Sequence, residues 1–347
     1  MQVLDADKSI LKKYNLKPND AILANDEQLQ IYEDIRKHGS DIKYVAGGAA
    51  QNAARAAQFV LPPNSVAYLG CVGKDALASQ LRQANEREGL QSLYQVNDEH
   101  PTGACAVIIT DHNRSLVTQL GAAEKFTKDH LETAAAKQAI EQAQFYYLGG
   151  FFLTHGVESA EILAKHASEN GKIFAMNLSA PFIAEFFHSQ LNTILPYVDI
   201  LIGNESEARA YSKAASWSTD SIPEIAAKLS QIPRVLSQAA SRPPRLVIIT
   251  QGTDPTFAIG GPRSRPQQEG GDPVVERGAP KEGKSWEVEK LQDASITDTN
   301  GAGDAFAGGF LGAYVAGKSL DESVEEGHKL GRKCCTKVGP NWRDDLD

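Results

Sequence analysis

Short segments rich in Val, Ile and aromatic residues recur along this chain, and helical patterns separate many of them. Ser65–Cys71, Ala104–Thr110, Phe145–Leu148, Ile173–Leu178, Ile200–Gly203 and Leu246–Thr250 read as strands, several of them closing on Gly or Asn. Gln51–Val60, Ala76–Glu88, Ser159–Glu169, Glu205–Ala214 and Ile222–Leu229 carry apolar residues at helical spacing. A parallel strand pair needs a long crossover, and a helix usually supplies it. This alternation therefore predicts an α/β fold with a mostly parallel sheet covered on both faces.

Two stretches fit the alternation poorly. Segments of about 20–44 and 92–120 read as a small accessory sheet. Residues 260–284 are dominated by Pro, Gly, Arg, Glu and Gln, which predicts a mobile insertion in a hairpin between Thr256–Ile259 and Trp286–Leu291. Gln238–Arg245 reads as a further loop. At 347 residues the chain suffices for one large α/β domain with these appendages, so a single domain over 1–347 is expected.

The formal net charge of −9 argues against a nucleic-acid partner, which needs a basic surface. It leaves room for a small anion held by local dipoles. Cys71, Cys105, Cys334 and Cys335 lack zinc-site spacing and read as reduced thiols. The N-terminus resembles neither a signal nor a transit peptide, and no apolar run reaches ~18 residues. The expectation is a cytoplasmic protein without a membrane partner.

The segment richest in chemistry is Asp298-Thr299-Asn300-Gly301-Ala302-Gly303-Asp304, which runs into a helical pattern over Phe306–Val315. Glycines ahead of a helix expose backbone N–H groups where the dipole is positive, which makes an anion site. Asp304 falls in or beside the first turn, where the dipole is expected to keep it ionised. A carboxylate beside an anion hole can take a proton from a hydroxyl while the hole holds a transferring phosphoryl group. A glycine-rich turn with an ordinary capping aspartate satisfies the local pattern equally. A dinucleotide fingerprint does not fit, because position 306 is Phe. A Walker A loop and the protein-kinase signatures are absent. A second segment, Ala46-Gly47-Gly48-Ala49-Ala50-Gln51-Asn52, also leads from an extended stretch into a helix. Its glycines admit a ligand to the backbone, and Asn52 offers donor and acceptor to vicinal hydroxyls. It too reads as a plain strand–helix turn when taken alone.

Together the two segments resemble the paired signatures of the ribokinase-type sugar and nucleoside kinases. Within them the adenosine kinases are most similar, through Pro101-Thr102-Gly103-Ala104-Cys105, Asn113-Arg114-Ser115-Leu116, Gly150-Phe151-Phe152-Leu153-Thr154, Asn177-Leu178-Ser179-Ala180-Pro181-Phe182 and Gly203-Asn204-Glu205-Ser206-Glu207. The resemblance runs from about Leu11 to Pro340. It implies a three-layer α/β/α sandwich with a small lid sheet made by the two accessory segments, and phosphorylation of the adenosine 5′-hydroxyl by ATP with Mg²⁺.

The same resemblance implies the site residues. Asp304 would be the base, the N–H groups of Gly301, Ala302 and Gly303 the anion hole, and Arg114 a clamp on the γ-phosphate. Arg114 reads equally as a surface ion pair. Gly47, Gly48 and Asn52 would hold the ribose. Leu23, Cys105, Leu116, Leu120, Phe151 and Phe182 would line the adenine slot, though by type they are ordinary core residues. Asn204 and Glu207 would organise Mg²⁺ through water, and they also have capping-box spacing. Thr250, Gly252 and Asn300 would lie on the ATP side. A lid that pairs with no second chain implies a monomer, and the expected compartment is the cytoplasm, with the nucleus as a second candidate.

One departure bears on activity. The family begins with a strand ending in a Gly-Asn-Pro-Leu-Leu-Asp-like segment whose Asp grips the ribose, and Met1 falls just past it. A first strand missing from the sheet is therefore expected, either because the protein is longer or because this chain is a weakened relative. Two alternatives stay open beside adenosine phosphorylation: a kinase for another nucleoside or sugar, and a protein that binds adenosine without turning it over.

Overall fold

A computed structural model describes residues 2–5, 8–17, 21–38, 43–110, 113–235, 244–260 and 281–343. In chain order they form β1 (Gln2–Asp5), α1 (Lys8–Lys13), β2 (Ala21–Leu23), α2 (Gln30–His38), β3 (Lys43–Tyr44), α3 (Ala49–Val60), β4 (Ala67–Gly73), α4 (Ala76–Arg87), β5 (Gln91–Asn97), β6 (Ala104–Thr110) and β7 (Asn113–Gln119). There follow α5 (Ala134–Gln142), β8 (Phe145–Gly149), α6 (Val157–Glu169), β9 (Ile173–Asn177), α7 (Pro181–Phe186), α8 (His188–Ile194), β10 (Ile200–Asn204), α9 (Glu205–Ala214) and α10 (Ile222–Gln231). The last elements are β11 (Leu246–Gln251), β12 (Asp254–Ile259), β13 (Lys284–Trp286), α11 (Ala302–Val315) and α12 (Leu320–Cys335). The chain divides into two compact units, residues 1–48 with 68–126, and residues 49–67 with 127–347.

In the first unit the strands run β2-β7-β6-β1-β3. β6 and β7 form an antiparallel hairpin, with β1 parallel to β6 and β2 parallel to β7. Successive strand residues face opposite ways. Ala106, Ile108 and Val117 accordingly pack against Leu11, Tyr14 and Leu16 and against Ile31, Tyr32 and Ile35 of α2. Burying such a side chain fully is worth about 1.5–3 kcal/mol. The Tyr32 hydroxyl donates to the Val117 carbonyl at 2.7 Å and accepts from the Gln119 N–H at 2.9 Å, so the buried phenol is paired. A separate ribbon, β4–β5, packs Val72 and Tyr94 against Ala78 of α4. Both accessory segments fall in this unit. The strand at Gln2–Asp5 was not legible from the sequence, because four residues carry too little periodicity to register.

The second unit contains a sheet ordered β13-β12-β11-β10-β9-β8. β8 to β11 are parallel, and β12 and β13 turn back antiparallel. Alternation sorts its side chains into two cores. Leu201, Phe174, Met176, Val247 and Ile249 meet one set of helices, which contributes Ala164, Ala208, Ile225 and Leu229. Ile200, Ile202, Leu246 and Ile248 face Ala53 of α3, Phe306 and Phe310 of α11 and Val324 of α12. A sheet with helices on both faces is the three-layer α/β/α arrangement expected. The hairpin around residues 260–284 is real, but its second strand is Lys284–Trp286 rather than Trp286–Leu291. Trp286 is the buried anchor of that edge, and its indole N–H donates to Asp321 at 2.9 Å. Most of the insertion itself, 261–280, lies outside the described residues.

α11 is buried around nearly its whole circumference, so no polar face marks its orientation in the sequence. It packs tightly on α3. A Cβ at Gly308 would stand 2.2 Å from the Ala53 carbonyl oxygen, so only glycine lets the two backbones approach this closely. That contact matters because α3 carries Asn52 and α11 carries Asp304. Among the described residues no helix is long and apolar enough to cross a membrane.

Candidate active site

The second unit brings together residues from the two glycine-rich segments. Asn52, in the first turn of α3, donates from Nδ2 to Oδ2 of Asp304, in the first turn of α11, at 2.9 Å. The positions are separated by 252 residues, and the α3–α11 contact joins them. Asn52 is 4% exposed, and its Oδ1 has no hydrogen-bond partner among the described residues. A buried acceptor of this kind costs about 1–3 kcal/mol unless a donor meets it. A ligand hydroxyl is a suitable donor.

Asp304 corrects the expectation from the helix dipole. Protein surrounds its carboxylate while one side stays open, and that desolvation pushes its pKa up to about 7. The Asn52 hydrogen bond acts in the opposite direction and only partly offsets it. Burial wins because the dipole is a matter of fractional charge at the helix end, whereas desolvation penalises a full one. A carboxylate poised near 7 is better matched to general-base work than one held far below neutrality. We expect kcat/KM to rise with pH and level off above about 7, since the charged form is the base. In Asn52→Ala the midpoint should move upward, because the donor that favours the charge is gone. A pH–rate profile of both proteins checks this, and an unmoved midpoint would count against it.

The glycine loop leads directly into Asp304. Gly301 caps α11 with φ of +79°, a left-handed conformation that a side chain would strain. A Cβ at Gly303 would meet nothing within 4 Å, so that side of the first turn is open. Of the three expected donors, Ala302 N–H is partly engaged within the turn, donating to the Thr299 carbonyl at 3.3 Å. The Asn300 N–H donates to Asp298, which is fully buried, and Asn300 Nδ2 has no partner among the described residues.

β10 ends at Asn204, and α9 begins there. The capping box is formed: Asn204 Oδ1 accepts from Glu207 N–H at 2.9 Å, and Glu207 accepts from Asn204 N–H at 2.9 Å and from Asn204 Nδ2 at 2.8 Å. Glu207 is buried, which pushes its pKa up to about 7, and the charge of Asp304 adds to the rise. Both carboxylate oxygens of Glu207 already hold hydrogen bonds, so water-mediated rather than direct contact suits a hard cation here. Thr250 pairs with Asn204 across β10–β11, and Gly252 turns the chain at φ of +60°. Of the expected ATP-side residues, Thr250 therefore lies beside the capping box, Gly252 follows two residues on, and Asn300 belongs to the glycine loop ahead of α11. Phe151 is 40% exposed and stands 5.9 Å, centroid to centroid, from Phe182.

Tyr147 had no place in the sequence reading, and Asn177 entered it only as the start of a motif. Tyr147 lies two residues before the C-terminal end of β8, on the side of the sheet facing Phe306 and Ala53. Its hydroxyl is hydrogen-bonded to Asn177, and burial with the nearby charges of Asp304 and Glu207 raises its pKa. The signal available was position alone, since ligands of open α/β sheets gather at the carboxyl ends of strands. His155 contacts Thr154 and the Phe152 ring.

The first unit holds the other expected residues. Register places Leu23 opposite Thr118, Thr118 opposite Cys105, and Leu116 opposite Val107. Leu23, Cys105 and Leu116 thus share the sheet face turned away from the α2 core, and Leu23 is 53% exposed there. Leu120 follows the end of β7. Gly47 and Gly48 lie between β3 and α3, with Gly48 at φ of +102°. Arg114 lies in β7 opposite Ile109, and its side chain is outside the described residues.

Glu207, just past the end of β10, and Asp304, in the first turn of the glycine-capped α11, are thus both carboxylates that desolvation destabilises. The pfkB family carbohydrate kinase profile matches residues 12–343. An adenosine kinase of Schizophyllum commune is 47% identical over 99% of this chain and 94% of its own, and one of Schizosaccharomyces pombe is 41% identical over 95% and 89%. This chain belongs to the adenosine kinases of the pfkB family. Among solved structures, adenosine kinase of Anopheles gambiae in complex with P1,P4-di(adenosine-5) tetraphosphate superimposes with a TM-score of 0.86 at 36% identity, covering 97% of this chain and 93% of that one. Adenosine kinase of Schistosoma mansoni with 2-fluoroadenosine gives 0.85 at 32% identity, covering 98% and 93%. Membership makes the chain a ribokinase-like phosphotransferase with an alcohol acceptor and ATP as co-substrate.

Proposed function

We propose that this chain phosphorylates the adenosine 5′-hydroxyl with Asp304 as general base. The observation that carries this reading is the Asn52–Asp304 hydrogen bond at 2.9 Å, beside a glycine-capped helix N-terminus. Asp304 takes the hydroxyl proton as the 5′-oxygen bonds to the γ-phosphorus. The bond from that phosphorus to the β,γ-bridging oxygen breaks, AMP forms and ADP leaves. The N–H groups of Gly301, Ala302 and Gly303 and the α11 dipole receive the phosphate charge. Asn52 Oδ1, with Gly47 and Gly48, meets the ribose hydroxyls.

Asn204 and Glu207 would hold Mg²⁺ through water, and its charge would neutralise phosphate oxygens. The clustering of Glu207 and Asp304, each destabilised as an anion, fits a cation there. Thr250, Gly252 and Asn300 contribute on the ATP side. Phe151 and Phe182 stack on the purine.

Side-by-side phosphorylation of adenosine, inosine, guanosine and ribose tests the substrate. Adenosine should lead in kcat/KM, and ribose should be the poorest because it cannot use the aromatic pair. Equal turnover of ribose would overturn the assignment. Arg114 is assigned to the γ-phosphate, where its fork can bridge two oxygens. Arg114→Ala should lower kcat by about 10²-fold or more, as loss of a charge-stabilising group does. An unchanged kcat would remove Arg114 from the mechanism.

A further inference from the structure

We infer that Arg55 is a positioning residue for phosphate binding, acting through the chain segment Gly339–Trp342 on the glycine loop. The inference rests on the reading of that loop as the phosphate site. Arg55 lies one turn after Asn52 on α3 and is 5% exposed. Its Nη1 donates to the Pro340 carbonyl at 3.2 Å, and its guanidinium carbon lies 5.3 Å from the centre of the Trp342 ring. Trp342 is fully buried, in a cluster with Ala56, Ala305, Leu330 and Cys334.

The segment held this way bears directly on the loop. A Cβ at Gly301 would stand 2.8 Å from Pro340 Cβ, so Pro340 seals one side of the glycine that caps α11. Asp298 ties the two together: one carboxylate oxygen accepts from Asn300 N–H and the other from Gly339 N–H, each at 2.9 Å. The Cys335 carbonyl accepts from Thr297 N–H at 2.8 Å and from Asp298 N–H at 3.1 Å. Backbone donors aimed at an oxyanion act only when their direction is fixed beforehand. Here a closed circuit fixes it. α3 holds Pro340 through Arg55, Pro340 backs Gly301, α11 carries Asp304, and Asp304 returns to α3 through Asn52. A guanidinium suits the corner, because its plane can lie over an indole while an in-plane N–H donates.

The test uses the full chain and three substitutions, Arg55→Met, Arg55→Lys and Trp342→Phe. ADP and adenosine affinities are measured separately by calorimetry, with the melting temperature of each protein. ADP affinity should fall by about tenfold in Arg55→Met, the usual effect of losing one charge-assisted hydrogen bond. Adenosine affinity should stay within about twofold, and Arg55→Lys should recover part of the loss. If Arg55→Met does not fold, Arg55→Lys and Trp342→Phe decide, each expected to weaken ADP more than adenosine. Equal weakening of both ligands, or unchanged ADP affinity in folded variants, would overturn the inference. ADP binding does not depend on which alcohol is phosphorylated. A chain that binds ADP but turns over a different nucleoside would therefore refute the substrate assignment and leave this test intact.

Discussion

Asp304→Asn should lower kcat by about 10³-fold, the middle of the range for loss of a general base. The substitution keeps the shape of the side chain, and its amide oxygen can still accept the hydrogen bond from Asn52 Nδ2. It removes the only function the mechanism needs, a basic oxygen near the 5′-hydroxyl. Stability should not fall, because the carboxylate is destabilised by burial. The sign follows from linkage. The pKa rises from 3.8 in the unfolded chain to about 7 in the folded one, so over that window the folded state holds a proton the unfolded state has released. Asp304 therefore lowers stability as pH rises through the window, and the Asp304→Asn protein should be free of that dependence. Single-turnover kinetics and a melt at pH 8 check both halves. A loss of less than tenfold in kcat would mean that the 5′-hydroxyl proton goes elsewhere.

Arg245→Met should destabilise the second unit by about 2–4 kcal/mol without touching the site. Arg245 is fully buried. Its Nε donates to the Val198 carbonyl at 2.9 Å, its Nη1 to Leu229 at 2.6 Å, and its Nη2 to the Leu195 carbonyl. It thus gathers the end of α10 and the segment ahead of β10 onto the start of β11. Burial lowers its pKa to about 10, so it remains charged at neutral pH and is satisfied by carbonyl dipoles. Met fills similar space and offers no donor, leaving the carbonyls short of a partner. Urea unfolding of both proteins measures the difference. A change under 1 kcal/mol would show that the carbonyls find other donors.

Arg245 also shows where reading a sequence stops. By itself it closes a loop-like stretch ahead of a strand and gives no sign of burial. The segments beside it were legible. β8, β9, β10 and β11 fall where Val, Ile and aromatic runs predicted them, within a residue or two at their ends. Their parallel order follows from the helices between them. The short elements were not legible, Gln2–Asp5 and Lys284–Trp286 among them, because two to four residues carry no period. α12 (Leu320–Cys335) also escaped, although its Ser319–Glu322 capping box was available as a signal.

The candidate site divides in the same way. The two glycine-rich segments, Asp304 and the Asn204–Glu207 spacing could be found by residue type, since each chemistry requires particular side chains at particular local intervals. That Asn52 touches Asp304 could not be, because it depends on two helices meeting at Gly308. The ionisation of Asp304 was read from the local helix dipole and came out reversed, since the surrounding protein decides desolvation. Tyr147, Arg55 and the Pro340–Gly301 contact have no local pattern at all. What the sequence determined by itself is everything carried by neighbours in the chain: periodicity, caps, turns and the identity of the reactive groups. What the tertiary structure alone decided is which of those groups meet and how much water each keeps, because burial and long-range contact are properties of the packed molecule.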